Sequence, residues 1–283
     1  MKFEEFLAKP NTKIDLSKFS TSSTGGFKSK KDLKKNIEKM IELQEKLYAQ
    51  DKYSVLLIFQ AMDAAGKDGT IKHVMSGLNP QGVQVVSFKQ PSKEDLDHDY
   101  LWRISKNLPE RGRIGIFNRS HYEEVLVVKV HDLIKTQSIP QKLIGKDIWK
   151  DRYRQISDFE KYLYENGTVI LKFFLHVSKE EQKNRFLERI ETPSKNWKFS
   201  GGDIKEREFW DDYQKVYAEA ISQTSKQHAP WYIIPADHKW YMRLAVSQII
   251  VDALENLKLS YPKLNPQQLA DLGKYKKQLL GEK

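Results

Sequence analysis

The chain has 283 residues, no cysteine, and 48 lysines and arginines against 38 aspartates and glutamates, a formal net charge of +10. That length fits one large α/β domain or at most two, and 39% apolar residues supply a core that excludes global disorder. Disulfides, thiol catalysis and cysteine–zinc sites are excluded together, no apolar run reaches membrane-spanning length, and the net charge points to nucleic acid, an anionic membrane or a polyanionic small substrate, or else serves solubility alone.

Residues 1–29 read as a flexible, partly basic N-terminal segment, rich in serine and glycine from Ser17 to Gly26. Met1–Pro10 lacks a signal-peptide pattern because Glu4, Glu5 and Lys9 interrupt it, so a cytoplasmic location is the simplest expectation. From Lys30 to Gln50, Leu33, Ile37, Met40, Ile41, Leu47 and Tyr48 recur at helical spacing and predict an amphipathic helix.

The most informative stretch follows. The apolar run Tyr53–Gln60 predicts a buried strand, and it ends in Asp63-Ala64-Ala65-Gly66-Lys67-Asp68-Gly69-Thr70. Small residues let the backbone turn tightly, N–H groups at a helix start face an anion, and Lys67 adds a point charge that can follow a phosphate. The stretch is a variant of the Walker A pattern G-x-x-x-x-G-K-[ST]: Ala61 stands where the first glycine belongs, and Asp68 replaces the hydroxyl. Ala64, Ala65, Gly66, Asp68, Gly69 and Thr70 are the candidate phosphate-binding residues around Lys67.

Further strands are expected at Val83–Phe88, Ile114–Phe117, Thr168–His176 and Trp231–Ile234. Helices are expected to begin near Lys67, Asp95, Tyr122, Lys142, Ser178, Asp203 and Lys239. Short apolar strands alternating with helices predict a mostly parallel sheet covered on both faces, with ligands at the strands' carboxyl ends. Lys89 follows the second strand and Arg103 lies on the next helix; both are candidates to face an acceptor's phosphate. The strand Ile114–Phe117 runs into Asn118-Arg119-Ser120-His121-Tyr122-Glu123. A phosphate-loop enzyme places a metal-binding carboxylate there, but Asn118 carries no charge, so the candidate acids are Glu123 and Asp63. Arg119 can grip a phosphate bidentately; otherwise Arg119 and Glu123 form an ordinary surface pair.

Gly167 reads as a helix C-cap, and Ser178 with Glu181 as a capping box. Lys179, Lys183, Arg185, Arg189, Lys195 and Lys198 then crowd a helix and loop over 179–202, bounded by Thr192-Pro193 and Ser200-Gly201-Gly202. A solvated, salt-bridged helix is one reading; a mobile lid that brings cations onto phosphates, sealed by Trp197 and Phe199, is the other. No histidine has metal-ligand spacing. The tail 261–283, with Pro262 and Pro266, reads as a peripheral helix or an oligomer contact.

Three blocks in order resemble the polyphosphate kinase 2 family: Asp63–Thr70, Ile116-Phe117-Asn118-Arg119-Ser120-His121-Tyr122-Glu123, and Asn196-Trp197-Lys198-Phe199-Ser200-Gly201-Gly202-Asp203. Pro230-Trp231-Tyr232 and Pro235–Trp240 add to the resemblance, which covers residues 30–260. It implies a three-layer α/β fold like that of P-loop kinases, with a helical lid. It also implies reversible transfer of the terminal phosphoryl of inorganic polyphosphate to AMP or ADP, and to GMP or GDP, with Mg2+ (Mn2+ as a substitute). Asp63, Lys67, Arg119 and Arg185 map onto the family's catalytic and phosphate-binding positions, and Asp63 and Glu123 are the expected metal ligands. Many members carry Asp where Asn118 stands; the Asn-Arg-Ser-His-Tyr-Glu form resembles the subgroup that phosphorylates both nucleoside mono- and diphosphates. A homo-oligomer, dimer or tetramer, with no membrane or nucleic-acid partner is expected. The rival readings are an ATP-dependent nucleoside monophosphate kinase and, more remotely, a non-enzymatic nucleic-acid-binding protein.

Overall fold

Every residue of Ser54–Ala61 is buried. A strand achieves this only in the middle of a sheet covered on both faces, and its unbroken apolar sequence suits that place. The computed structural model describes residues 3–27 and 31–282. In chain order its elements are β1 (Leu7–Ala8), α1 (Lys31–Gln50), β2 (Ser54–Ala61), α2 (Lys67–Val74), β3 (Val83–Ser87), α3 (Lys93–Leu96), α4 (Trp102–Ser105), β4 (Ile114–Asn118), α5 (Val127–Val130), α6 (Ile148–Glu165), β5 (Thr168–His176), α7 (Lys179–Glu191), α8 (Gly201–Glu208), α9 (Trp210–Thr224), β6 (Trp231–Pro235), α10 (Lys239–Asn256) and α11 (Pro266–Gly281).

The sheet order is β1-β6-β5-β2-β4-β3. Strands β2 to β6 are parallel, and only β1 pairs antiparallel, Leu7 opposite Tyr232. Helices α1, α2 and α10 pack together on one face and α5, α6 and α9 on the other, making three layers. From β2 the chain moves outward to β3; from β4 it crosses back past β2 to β5. Strand order therefore reverses beside β2, and a crevice opens at the carboxyl ends of β2 and β4. The expected α/β architecture and all five expected strands are present, with ends shifted by at most one residue. Helix α10, buried at Tyr241, Leu244, Ala245, Ile249 and Leu254 among others, lies between α1 and the sheet.

The N-terminal segment departs from expectation. Over residues 3–27 it is packed, not a free lead-in; residues 1, 2, 28 and 29 of the expected segment lie outside the described residues. Phe3, Phe6, Ala8, Ile14 and Leu16 are buried in the main core. The ring of Phe3 lies 5.8 Å from those of Phe6 and Phe27, and Phe6 meets Tyr241 edge-on. The backbone is tied down as well: Ser225 Oγ donates to Ala8 O, and Ile14 N donates to Ser222 Oγ. At Gly25 (φ +51) a Cβ would lie 2.5 Å from the Tyr241 hydroxyl, so glycine there serves a close approach. Three smaller differences concern helix starts. Near Tyr122 the chain forms a 3-10 helix, His121–Val125, and the α-helix opens at Val127. Near Lys142 there is only a 3-10 turn, and the helix opens at Ile148. Ser178 Oγ caps Glu181 N, but Asp237 takes the Ser178 N–H, so the capping box is half made. Gly167, with φ +89, closes the α6–β5 turn as expected. The tail forms α11, whose Leu269, Leu272, Tyr275, Leu279 and Leu280 are exposed.

Candidate functional site

The loop between β2 and α2 turns on two left-handed residues, Ala64 (φ 58) and Gly66 (φ 105). Strand β2 continues through Ala61, so no glycine is required at that position. Gly66 is required: its φ is one L side chains rarely adopt, and a Cβ would press to 3.2 Å on the Met242 methyl. Left-handed Ala64 costs about 1 kcal/mol, and the fold holds it through Arg185. That guanidinium, 5% exposed, donates from Nη1 to Ala64 O (3.1 Å) and Ala65 O (2.7 Å), and from Nη2 to Ala236 O (2.6 Å) and Asp237 O (3.1 Å). Its Nε donates to Glu181 at 2.7 Å. The predicted Glu181–Arg185 pair is therefore present, yet it braces the loop instead of facing water. Arg185 is expected among the phosphate-binding residues; it lines the hollow, and here its donors go to four carbonyls and the Glu181 carboxylate, which makes it a brace of the loop.

Lys67 Nζ donates to Ala61 O at 2.8 Å. Burial lowers the pKa of its ammonium, a pull that the Asp63 carboxylate opposes. Across the crevice β4 ends in Asn118, whose amide donates to Asp68 at 2.7 Å. Arg119 is also left-handed (φ 64), donates its N–H to Phe59 O, and sets its guanidinium 3.4 Å from Asp63. Ser120 supplies the helix cap to Tyr122 N and accepts from Gln60, which fixes the turn that aims Arg119.

These groups line one hollow of about 510 Å³. Around the loop residues Asp63 to Gly69 stand Lys89, Asn118, Arg119, Arg185, Arg189 and Lys198, with Lys195, Lys239, Glu188 and Phe88. Three predicted site residues, Thr70, Arg103 and Glu123, are placed outside the hollow. Thr70 is fully buried and its hydroxyl donates back to Gly66 O, so it cannot face a ligand in the hollow. Arg103 donates to Lys89 O, stacks on Phe88 and lines a separate cavity beside Tyr100 and Arg152. Trp197 is 78% exposed and outside the hollow, while Phe199 packs edge-on against Phe186, so neither seals the channel here. Lys239 was missed although it opens the helix directly after β6, where the strand-end rule points. Glu123 lines a smaller adjoining cavity of about 220 Å³ with Asp63, Arg119, Asp203, Glu206 and Tyr217. Burial pushes its carboxyl up, although Arg119 and Lys67 pull it down.

Among the described residues no group of three His, Asp or Glu is arranged to hold a metal ion. A Mg2+ that arrives with phosphates needs less: one or two carboxylates, with phosphate and water oxygens completing the shell. Asp63 borders both cavities and fits that role.

The polyphosphate kinase 2 family model matches residues 26–262. The ADP-polyphosphate phosphotransferase of Rhodopseudomonas palustris is 50% identical over 99% of both chains. The AMP/ADP-polyphosphate phosphotransferase of Meiothermus ruber is 45% identical over 92% of this chain and 95% of its own. The crystal structure of polyphosphate kinase 2 from Arthrobacter aurescens TC1 superposes with a TM-score of 0.83 at 40% identity, covering 94% of this chain and 97% of that one.

Proposed function

The chain belongs to the polyphosphate kinase 2 family, and from that premise we propose that it is a polyphosphate-dependent nucleotide phosphotransferase. It moves the terminal phosphoryl of inorganic polyphosphate reversibly to AMP or ADP, and to GMP or GDP, with Mg2+ or Mn2+. The observation that carries this reading is the convergence of Lys67, Lys89, Arg119, Arg189, Lys195, Lys198 and Lys239 on one hollow around a phosphate-type loop.

The acceptor is already an anionic phosphate, so no strong base has to remove a hydroxyl proton. Its oxygen forms a bond to the terminal phosphorus while the bridging oxygen of the chain departs with the bonding pair. The polyphosphate leaves one unit shorter. What the protein supplies is alignment and charge neutralisation. Lys67, at the helix start, follows the phosphoryl group. Arg119 grips donor or acceptor oxygens from the β4 side. Bound Mg2+ would neutralise the phosphate oxygens, held by Asp63 with Glu123 in support. Segment 179–202 acts as a lid whose Arg189 and Lys198 cover the chain, and Arg185 keeps the loop in shape.

The same reading makes the protein a cytoplasmic homo-oligomer without nucleic-acid or membrane partners. No helix among the described residues is long and apolar enough to cross a membrane, and the exposed apolar face of α11 supports self-association. The deciding experiment supplies AMP, long-chain polyphosphate and Mg2+ without ATP. ADP and ATP should accumulate, and chelation should stop them. Phosphorylation of AMP only when ATP is added would identify an ATP-dependent monophosphate kinase instead.

A further inference from the structure

Arg243, on the first turns of α10, stands apart from the other arginines of the site. It is half-buried, its buried Nε has no hydrogen-bond partner, and it has no carboxylate partner among the described residues. Its position is set by α2: a methyl group on Gly69 would lie 3.5 Å from Arg243 Nη2. Gly69 itself borders the main hollow, as does Lys239, one helical turn before Arg243. Beyond Gly69 on the same face of α2 comes the exposed Lys72. Burial, and after it the like charge of Arg185, push the Arg243 guanidinium down from its ordinary value. A half-buried guanidinium with no carboxylate partner and a like-charged neighbour is an arrangement that an anion relieves.

We infer that Arg243 is a distal contact for the polyphosphate chain, a subsite where units remote from the reacting phosphoryl leave the hollow over Gly69 toward Lys72. This rests on the phosphotransferase reading and adds to it a residue that sets chain-length preference. The bare α2 surface at Gly69 lets a chain of phosphates pass within reach of Arg243. A short donor that fills only the loop and Arg119 region ends before it. Long chains therefore gain an extra charged contact that short ones lack, and the gain appears in binding instead of in the chemical step, because Arg243 touches no reacting atom.

The alternative is that Arg243 serves only as an aliphatic stem packed over α2. Arg243→Met keeps the stem and removes the charge, while Arg243→Lys restores a charge. The experiment measures kcat and KM of the full-length protein with AMP, Mg2+ and either long-chain polyphosphate or tripolyphosphate. For Arg243→Met, KM for the long chain should rise roughly five- to tenfold, the value of one charged contact, with kcat little changed. KM for tripolyphosphate should move by less than about twofold, and Arg243→Lys, which binds phosphate as a point charge, should recover most of the loss for the long chain. Equal changes for both donors, no change for either, or a lysine variant as poor as methionine would overturn the inference. Absence of transfer by the parent protein would instead defeat the phosphotransferase reading itself, so the two failures are distinguishable.

Discussion

Replacing Arg185 with alanine should cost stability as well as turnover, and the size of the stability loss tests the bracing role. The side chain is 5% exposed and spends its donors on four backbone carbonyls and the Glu181 carboxylate. A hydrogen bond to a charged group is worth about 1.5–3 kcal/mol, and each buried acceptor left without a donor costs about 1–3 kcal/mol. The contributions are not additive, because water can enter the space and the left-handed Ala64 can relax. A total near 4 kcal/mol is a reasonable expectation, in the range of about 3–5 kcal/mol for breaking a buried charged pair. At roughly 2–4 °C per kcal/mol for a domain of this size, the melting temperature should fall by about 10 °C. Arg185→Lys should recover little, since a single ammonium cannot span the Ala64–Ala65 and Ala236–Asp237 carbonyl pairs in the way a planar fork does. The assay is thermal unfolding beside steady-state turnover for parent, Ala and Lys forms. An alanine variant that melts with the parent yet has lost turnover would refute the bracing role and return Arg185 to direct phosphate binding.

Other perturbations separate the remaining parts. Lys67→Ala and Arg119→Ala should each lower kcat by about a hundredfold or more, the typical cost of one preorganised charge contact, with circular dichroism and melting close to the parent. Near-parental turnover in either would remove that residue from the mechanism. Asp63→Asn should raise the Mg2+ concentration for half-maximal rate by about tenfold or more, read by metal titration; an unshifted titration would move the ion elsewhere. Phe3→Ala, which empties a site between Phe6, Phe27 and Tyr241, should cost about 3–5 kcal/mol by denaturant unfolding, whereas a loose segment would lose nothing. Burial raises Glu160, but Lys172 at 2.5 Å and His121 outweigh it and leave the carboxyl below its ordinary 4.5. A depressed carboxylate stabilises the fold above pH 4.5 and loses that contribution as pH falls through the folded value. Glu160→Gln should therefore melt earlier near neutrality and decline less steeply on acidification, and parallel curves would contradict the coupling.

What could be read from sequence follows the kind of signal each feature leaves. Continuous apolar runs marked β2, β4, β5 and β6, because strands buried on both faces cannot hide their composition. Gly66-Lys67 marked the loop, because only glycine suits φ 105 beside Met242. The N-terminal segment left no such mark. Phe3, Phe6, Ile14 and Leu16 are spaced too irregularly for any periodicity, and each is buried by a surface that the rest of the chain builds. The bracing contacts of Arg185 are hidden for a subtler reason. The i,i+4 relation to Glu181 is real, but sequence spacing carries no information on which face of α7 docks against the loop. The placement of Arg103 and Thr70 is hidden likewise: both lie near the loop or its strands, and only the packing shows that their polar atoms turn to Lys89 O and Gly66 O.

The partition of charge in the hollow explains how so many cations can be gathered in one place. Eight cationic side chains and three acidic ones line it. Arg185 is consumed by carbonyls. Lys195 and Lys239 share Glu188, at 2.5 and 3.5 Å, and Arg189 lies 3.7 Å from Asp203. Arg119 is only loosely held by Asp63 at 3.4 Å, and among the described residues Lys89 and Lys198 have no carboxylate partner. The exposed pairs of Glu188 are worth about 0–1 kcal/mol each, so exchanging that carboxylate for a phosphate oxygen costs little. Glu188 is then more than a counterion. It links Lys195, after α7, to Lys239 at the start of α10, and in the proposed reaction a phosphate chain entering between them competes for both lysines at once. The cations that reach the chain are thus held in place by weak, exchangeable contacts, while the loop they surround is fixed by strong, buried ones.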